Sequence, residues 1–250
     1  MKKIVFALFF LFLAAFCAFL IFRRKAVLLS EQEVFREEIS AMDAAGVLPE
    51  ENGPENGAEI GPESASRLSE AVRTMQEEFP GFFGRLIVKD TCIDYPVMLP
   101  PEEDPQWYLH RDIHGAESSS GSIYADPATI LYSRVLILYG HHMKDGSMFG
   151  SLGKYLDPGF AAGHPAILLT AAGGEEHYRP SAVLILSAED ESTGQALSFL
   201  QKEDPKTLAQ AAEKTGILYR MPDPEKKHLV LVTCEYSVKD GRLAVLFDED

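Results

Sequence analysis

Between residues 84 and 247 the chain is a succession of short runs rich in β-branched and aromatic residues, bounded by turn-forming residues. They are "GRLIVKD" (84–90), "IDYPVML" (93–99), "GSIYAD" (121–126), "RVLILYG" (134–140), "AILLTA" (166–171), "HYRPSAVLILSAE" (177–189), "ILYR" (217–220), "HLVLVTC" (228–234) and "RLAVLF" (242–247). Their lengths and residue types predict strands. About eight strands without regularly intervening helices do not make the βαβ units of a parallel sheet, so the pattern predicts a mainly β fold, closed or nearly closed into a barrel.

Helices are expected before and within this run. Leu68, Val72 and Met75 share one face of a helix over 66–79 that Pro80 and Gly81 end. Late in the chain, Asp204 and Pro205 start a helix, Leu208, Ala211 and Ala212 form its apolar stripe, and Gly216 closes it. This helix is inserted between two late strands.

The N-terminus differs in kind. Ile4 to Phe22 is an uncharged apolar stretch flanked by Lys2 and Lys3 on one side and Arg23 to Lys25 on the other. As a helix it would be about 28 Å long, close to the ~30 Å of a bilayer's hydrocarbon layer. It exceeds a typical signal-peptide core and lacks a small-residue cleavage site, and Phe16 before Cys17 makes a poor lipoprotein site, so an uncleaved anchor is expected over 1–25. The flanking charges balance and leave orientation open. Ser30 and Glu33 stand at capping-box spacing, predicting a separate short helix that ends at Gly46. Residues 47–65 hold many Gly, Pro and Glu, an acidic flexible spacer. The domains expected are thus an anchor (1–25), a juxtamembrane helix and linker (26–65), and a globular domain (66–250).

With 38 acidic against 23 basic side chains, the formal charge of -15 repels phosphate backbones and disfavours nucleic acid as a partner. Three cysteines form no disulfide framework, and one of them, Cys17, lies in the apolar stretch. Cys92 and Cys234 remain, compatible with a single bridge or with one buried and one reactive thiol.

Cys234 ends a strand, and Asp240–Gly241 supplies a turn before the next strand begins. Pairing symmetric about Val238 puts Cys234 opposite Arg242 and Val232 opposite Ala244. A guanidinium beside a thiol favours the thiolate and can donate to a developing oxyanion, but it is a poor base. The alternative is a strand-end Cys beside a solvated Arg. A base is available in "LYGHHMKDGSMFG" (138–150), where His141 follows Gly140 at the end of an apolar strand. Strand alternation turns His142 the other way, which weakens a metal reading of the pair. The other histidines, His110, His114, His164, His177 and His228, show no metal-ligand spacing.

Four pieces in order, "FFGRLIVKDTCIDYPVM", "WYLHRDIHGAESSSGSIYAD", "LYGHHMKDGSMFGSLGKYLD" and "LVTC" with Arg242 following eight residues later, resemble the class B sortases. The likeness spans about residues 66–250. It implies an eight-stranded sortase-type β-barrel with N-terminal helices and an inserted helix, belonging to a membrane-anchored cysteine transpeptidase of Gram-positive bacteria. By the family's motifs the catalytic residues would be Cys234 (nucleophile), His141 (acid and base) and Arg242 (oxyanion or substrate backbone). Leu109, Tyr139 and Glu235 would contact substrate. The implied reaction cleaves a C-terminal sorting motif of a secreted protein after Thr through a thioacyl-enzyme. It then transfers the protein to an amine of the peptidoglycan cross-bridge or its lipid-linked precursor, with no metal or organic cofactor. The implied location is the cell membrane, single-pass, with the catalytic domain extracellular. Val232 departs from the small hydroxyl residue common two positions before the Cys, which leaves motif preference open. A pilin-polymerising sortase using a Lys amine, a cysteine protease and a membrane-tethered non-enzymatic binding module are the competing readings.

Overall fold

The computed structural model describes residues 2–47, 62–130, 134–187, 210, 212, 213 and 216–250. The chain divides into two compact units, Met1–Glu38 and Ile39–Asp250.

The first unit belongs to helix α1 (Lys2–Ala45). Two expectations change here. The short helix predicted to begin at Ser30 is continuous with the preceding one, so Ser30 caps nothing. Its hydroxyl donates back to the Val27 carbonyl at 2.7 Å, the bond a Ser makes inside a running helix. The expected single-pass span is also unsupported: among the described residues no helix is long and apolar enough to cross a membrane. The side chains at 4, 5, 7 and 8 of the apolar stretch lie outside the described residues.

In the second unit, α2 (Pro62–Glu78) is followed by β1 (Phe82–Val88), β2 (Asp94–Met98), β3 (Ile123–Ala125), a short α3 (Pro127–Ile130) and β4 (Val135–Tyr139). Then come α4 (Pro158–Gly163), β5 (Ile167–Ala171), β6 (Gly174–Ser187), β7 (Gly216–Leu218), β8 (His228–Glu235) and β9 (Gly241–Glu249). Every predicted strand is present, with ends shifted by a few residues. The inserted helix falls almost wholly outside the described residues; Gln210, Ala212 and Glu213 are helical, and Ala212 is buried.

The sheet runs β5-β1-β2-β3-β4-β8-β9-β6-β7, and β5 also pairs with β6, so eight strands close into a mixed barrel with β7 appended to β6. Closure removes the free sheet edge of those eight strands. Two pairings, β2 with β3 and β4 with β8, are parallel.

One apolar face follows the two-residue period of the strands. Val135 and Ile137 of β4, Val230 and Val232 of β8, Ala244 and Leu246 of β9, and Ala182, Leu184 and Leu186 of β6 pack with Ala212. Continuing that face by two residues on β4 and β8 reaches Tyr139 and Cys234, and stepping back two on β9 reaches Arg242. A second cluster joins Met42 and Val47 to Val72, Met75, Phe79 and Phe82, so residues 39–47 pack on the barrel's own helix α2. Arg85 of β1 fixes that segment. Its Nε and Nη2 donate to both carboxylate oxygens of Asp94 (2.7 and 2.8 Å), and its Nη1 donates to Asp43 (2.6 Å) and to the Val47 carbonyl (2.9 Å).

Candidate active site

The β8–β9 hairpin has the predicted register: Cys234 pairs with Arg242 and Val232 with Ala244. β4 lies on the other side of β8, in register from Val135↔His228 to Tyr139↔Val232. Three consecutive strands thus carry the candidate residues to one end of the barrel. There a groove of about 360 Å³ is lined by His141, Cys234 and Arg242, with Leu109, Tyr139, Tyr124 and Asp126 among its walls.

His141 is half-buried, and its Nε2–H donates to the Leu109 carbonyl at 2.8 Å. A carbonyl only accepts, so the neutral ring carries its hydrogen on Nε2 and keeps Nδ1 for proton exchange. His110 stacks on it, ring centres 5.5 Å apart. Burial holds the His141 pKa below its ordinary 6.5, against the Leu109 hydrogen bond and with the help of the His110 charge. The fold therefore favours the neutral ring, and the unfolded chain takes up this proton first as pH falls. The stability His141 contributes is present above about pH 6.5 and is lost as pH drops through the lower folded value. A urea titration is expected to show a smaller loss of stability for His141→Asn than for wild type between about pH 7 and pH 5.

The Leu109 carbonyl is itself held by a close approach. Gly121, at φ +57°, runs beside it, and a Cβ there would lie 2.4 Å from the Leu109 oxygen and 2.7 Å from that of Tyr108. Gly121→Ala is expected to displace the His141 partner and lower turnover about tenfold or more, measured as kcat on peptide substrate.

Cys234 is a free thiol of intermediate exposure. The Arg242 guanidinium donates to the Gly241 carbonyl at 2.9 Å, which leaves its other N–H groups for a ligand. Tyr139 donates its hydroxyl to Asp126 Oδ2 at 3.3 Å; burial, then the Asp126 charge, pushes its pKa well up. Tyr124 is pushed to about 12 by the same two causes. Both phenols therefore remain protonated donors.

Of the predicted substrate contacts, Leu109 and Tyr139 line the groove and Glu235 does not. The Glu235 carboxylate accepts from the Ser237 N–H at 2.7 Å. Burial raises its pKa, but the hydrogen bonds from Ser237 and Tyr236 and the His142 charge outweigh that and leave it lowered. Asp126, Tyr124, Gln106 and Thr233 also line the groove and went unselected from sequence. For Asp126 the end of the short strand "IYAD" was the available signal. Among the described residues no three His, Cys, Asp or Glu gather as metal donors.

No family model matches the chain. Sortase B of Listeria monocytogenes is 38% identical over 100 residues, and the matched stretch covers 39% of this chain and 40% of that relative. The crystal structure of sortase B from Bacillus anthracis in complex with AAEK1 is 25% identical, covers 89% of this chain and 99% of that one, and superposes with a TM-score of 0.65. A Staphylococcus aureus sortase B–substrate complex, 18% identical, shares the fold with a TM-score of 0.65 over 88% of this chain and 96% of that one. The closed mixed barrel is similar to that of the solved sortases, and the chain spans about two fifths of the length of the curated sortase it matches. Within that group the likeness is to sortases B.

Proposed function

We propose that the chain cleaves a C-terminal sorting motif of secreted proteins after Thr and joins them to an amine of the peptidoglycan cross-bridge or its precursor. The observation that carries this reading is the single groove in which β4, β8 and β9 present His141, Cys234 and Arg242. In the proposed reaction, His141 Nδ1 takes the Cys234 proton and the thiolate attacks the Thr carbonyl. Arg242 donates to the oxyanion. The carbon–nitrogen bond breaks as the imidazolium returns the proton to the leaving amine, and a thioester remains on Cys234. The incoming amine attacks that thioester and gives a proton to His141. The thiolate departs, is reprotonated, and the new amide is released. Leu109 and Tyr139 contact the peptide, whereas Glu235, outside the groove, has no part in binding.

The domain plan proposed with this activity keeps an N-terminal membrane element (1–25), a connecting segment (26–65) and the catalytic domain (66–250), which residues 39–47 also join by packing. The enzyme works at the cell envelope, on the outer side of the membrane. Support for a membrane-seated N-terminus comes from Phe6, Phe9, Phe12, Phe16, Phe19 and Phe22, which are all exposed on α1. Extraction of membranes with alkaline carbonate is expected to leave the protein in the pellet; release to the supernatant refutes that seat.

The test of the activity incubates the full chain in detergent with sorting-motif peptides, with and without amine acceptors, and reads products by mass. A peptide adduct on Cys234 and an amide product that depends on the added amine support the proposal. Only hydrolysed acid, whatever amine is offered, indicates a protease. No adduct and no cleavage with any peptide indicates a binding module. Preference for a Lys side chain over a cross-bridge amine indicates pilin polymerisation.

A further inference from the structure

We infer that His142 is a positioning residue for the nucleophile: its Nδ1–H holds the Cys234 carbonyl and fixes the strand end that carries the thiol. The inference deepens the reading of Cys234 as nucleophile and rests on it.

The parallel β4–β8 ladder reaches its end at this point. Gly140 N–H donates to the Val232 carbonyl at 3.2 Å, and the Thr233 hydroxyl donates to the Gly140 carbonyl at 2.8 Å. Along a strand, the carbonyls facing one neighbour recur at every second residue, so the next carbonyl due on the β4 side after Val232 is that of Cys234. The chain beyond Gly140 has already turned off the sheet. The His141 carbonyl accepts from Phe149 N–H at 3.0 Å, and His142 forms an isolated bridge with Met148. The His142 imidazole stands in for the missing ladder amide, with Nδ1 2.9 Å from the Cys234 oxygen. Tyr236, two residues past the Cys, packs edge-on against the ring at 5.2 Å and holds it there.

The two adjacent rings thus serve one residue from two sides in opposite tautomers. His141 carries its hydrogen on Nε2 and lines the groove with the thiol, whereas His142 carries its hydrogen on Nδ1 and grips the main chain. A drift of the nucleophile by about 1 Å costs up to about a hundredfold in rate, which is the scale on which such a brace matters.

The full chain in detergent provides the test, with His142→Asn, His142→Gln and His142→Phe. An Asn amide places a donor near the position of Nδ1, and a Gln amide places one near Nε2. His142→Phe is expected to lower kcat on a sorting-motif peptide about tenfold or more with KM within about twofold; Asn recovers most of that loss and Gln does not. The rate of Cys234 alkylation by iodoacetamide, read at that residue by mass, follows the same order. Nitrogen NMR of the wild type is expected to show His142 protonated on Nδ1 in the neutral ring. An Nε2–H tautomer, equal rescue by Asn and Gln, or a Phe variant with wild-type kcat overturns the inference. So does a loss that merely tracks each variant's urea midpoint. If wild type turns over no peptide while the tautomer and the alkylation order hold, the proposed substrate falls and the brace stands.

Discussion

Replacing Arg242 by Ala is expected to lower kcat for peptide cleavage by about 10²- to 10³-fold, the scale of losing an oxyanion donor. Cys234 and Arg242 are directly paired across the β8–β9 hairpin, where facing Cβ atoms lie about 5 Å apart. The guanidinium is exposed at the groove and spends one N–H on the Gly241 carbonyl. Two roles are open to it, and Arg242→Lys separates them. A Lys keeps the charge that favours thiolate but lacks the planar fork. If the fork serves the oxyanion, Lys restores the alkylation rate of Cys234 yet recovers only a small part of kcat. An Ala variant within about threefold of wild type removes Arg242 from the chemistry, since a lost oxyanion donor costs far more.

Arg85→Ala is expected to cost about 3 kcal/mol of stability, the lower end of what breaking a buried ion pair costs. Arg85 itself is only 4% exposed, whereas the Asp43 and Asp94 side chains keep 46% and 35% of their surface in water. The carboxylates can rehydrate once the cation is gone, which places the expectation at that end. A urea midpoint lowered by about 1 M or more checks it, given a slope of about 1–3 kcal/mol per M. Arg85→Lys is expected to recover little, because one ammonium cannot reach Asp94 twice and Asp43 and the Val47 carbonyl as well. Full recovery by Lys refutes the argument from the fork.

The barrel was legible because its strands announce themselves locally, by alternation, β-branching and turn residues. The Cys234–Arg242 pairing was legible too, since one Asp-Gly turn sets the register of a hairpin. What local pattern cannot carry is a partner on a distant strand. The parallel β4–β8 ladder joins residues more than ninety positions apart in sequence, as in the His142–Cys234 bond with its separation of 92. Alternation was applied to two histidines that lie beyond the end of β4, and it was silent on what lay to either side, so the contact of His142 was missed. Leu109 was expected to contact substrate, and its carbonyl also turned out to hold His141. The capping box at Ser30 misled because a cap forms only where the chain enters a helix, and here the helix was already running.

The parallel neighbours β4 and β8 bear on how the groove comes to exist as well as on the chemistry proposed for it. A parallel pair requires a long crossover, and this one encloses β5, β6 and β7 before the chain returns. Bringing such distant segments together costs chain entropy before any contact rewards it, which makes this ladder a late event in folding. The two imidazoles, His141 and His142, reach the end of β8 only through that event, whereas Arg242 arrives with the local β8–β9 hairpin. On a refolding time course, acylation of Cys234 should therefore arrive with the last structural phase, because a half-folded chain has the thiol and the guanidinium without the base.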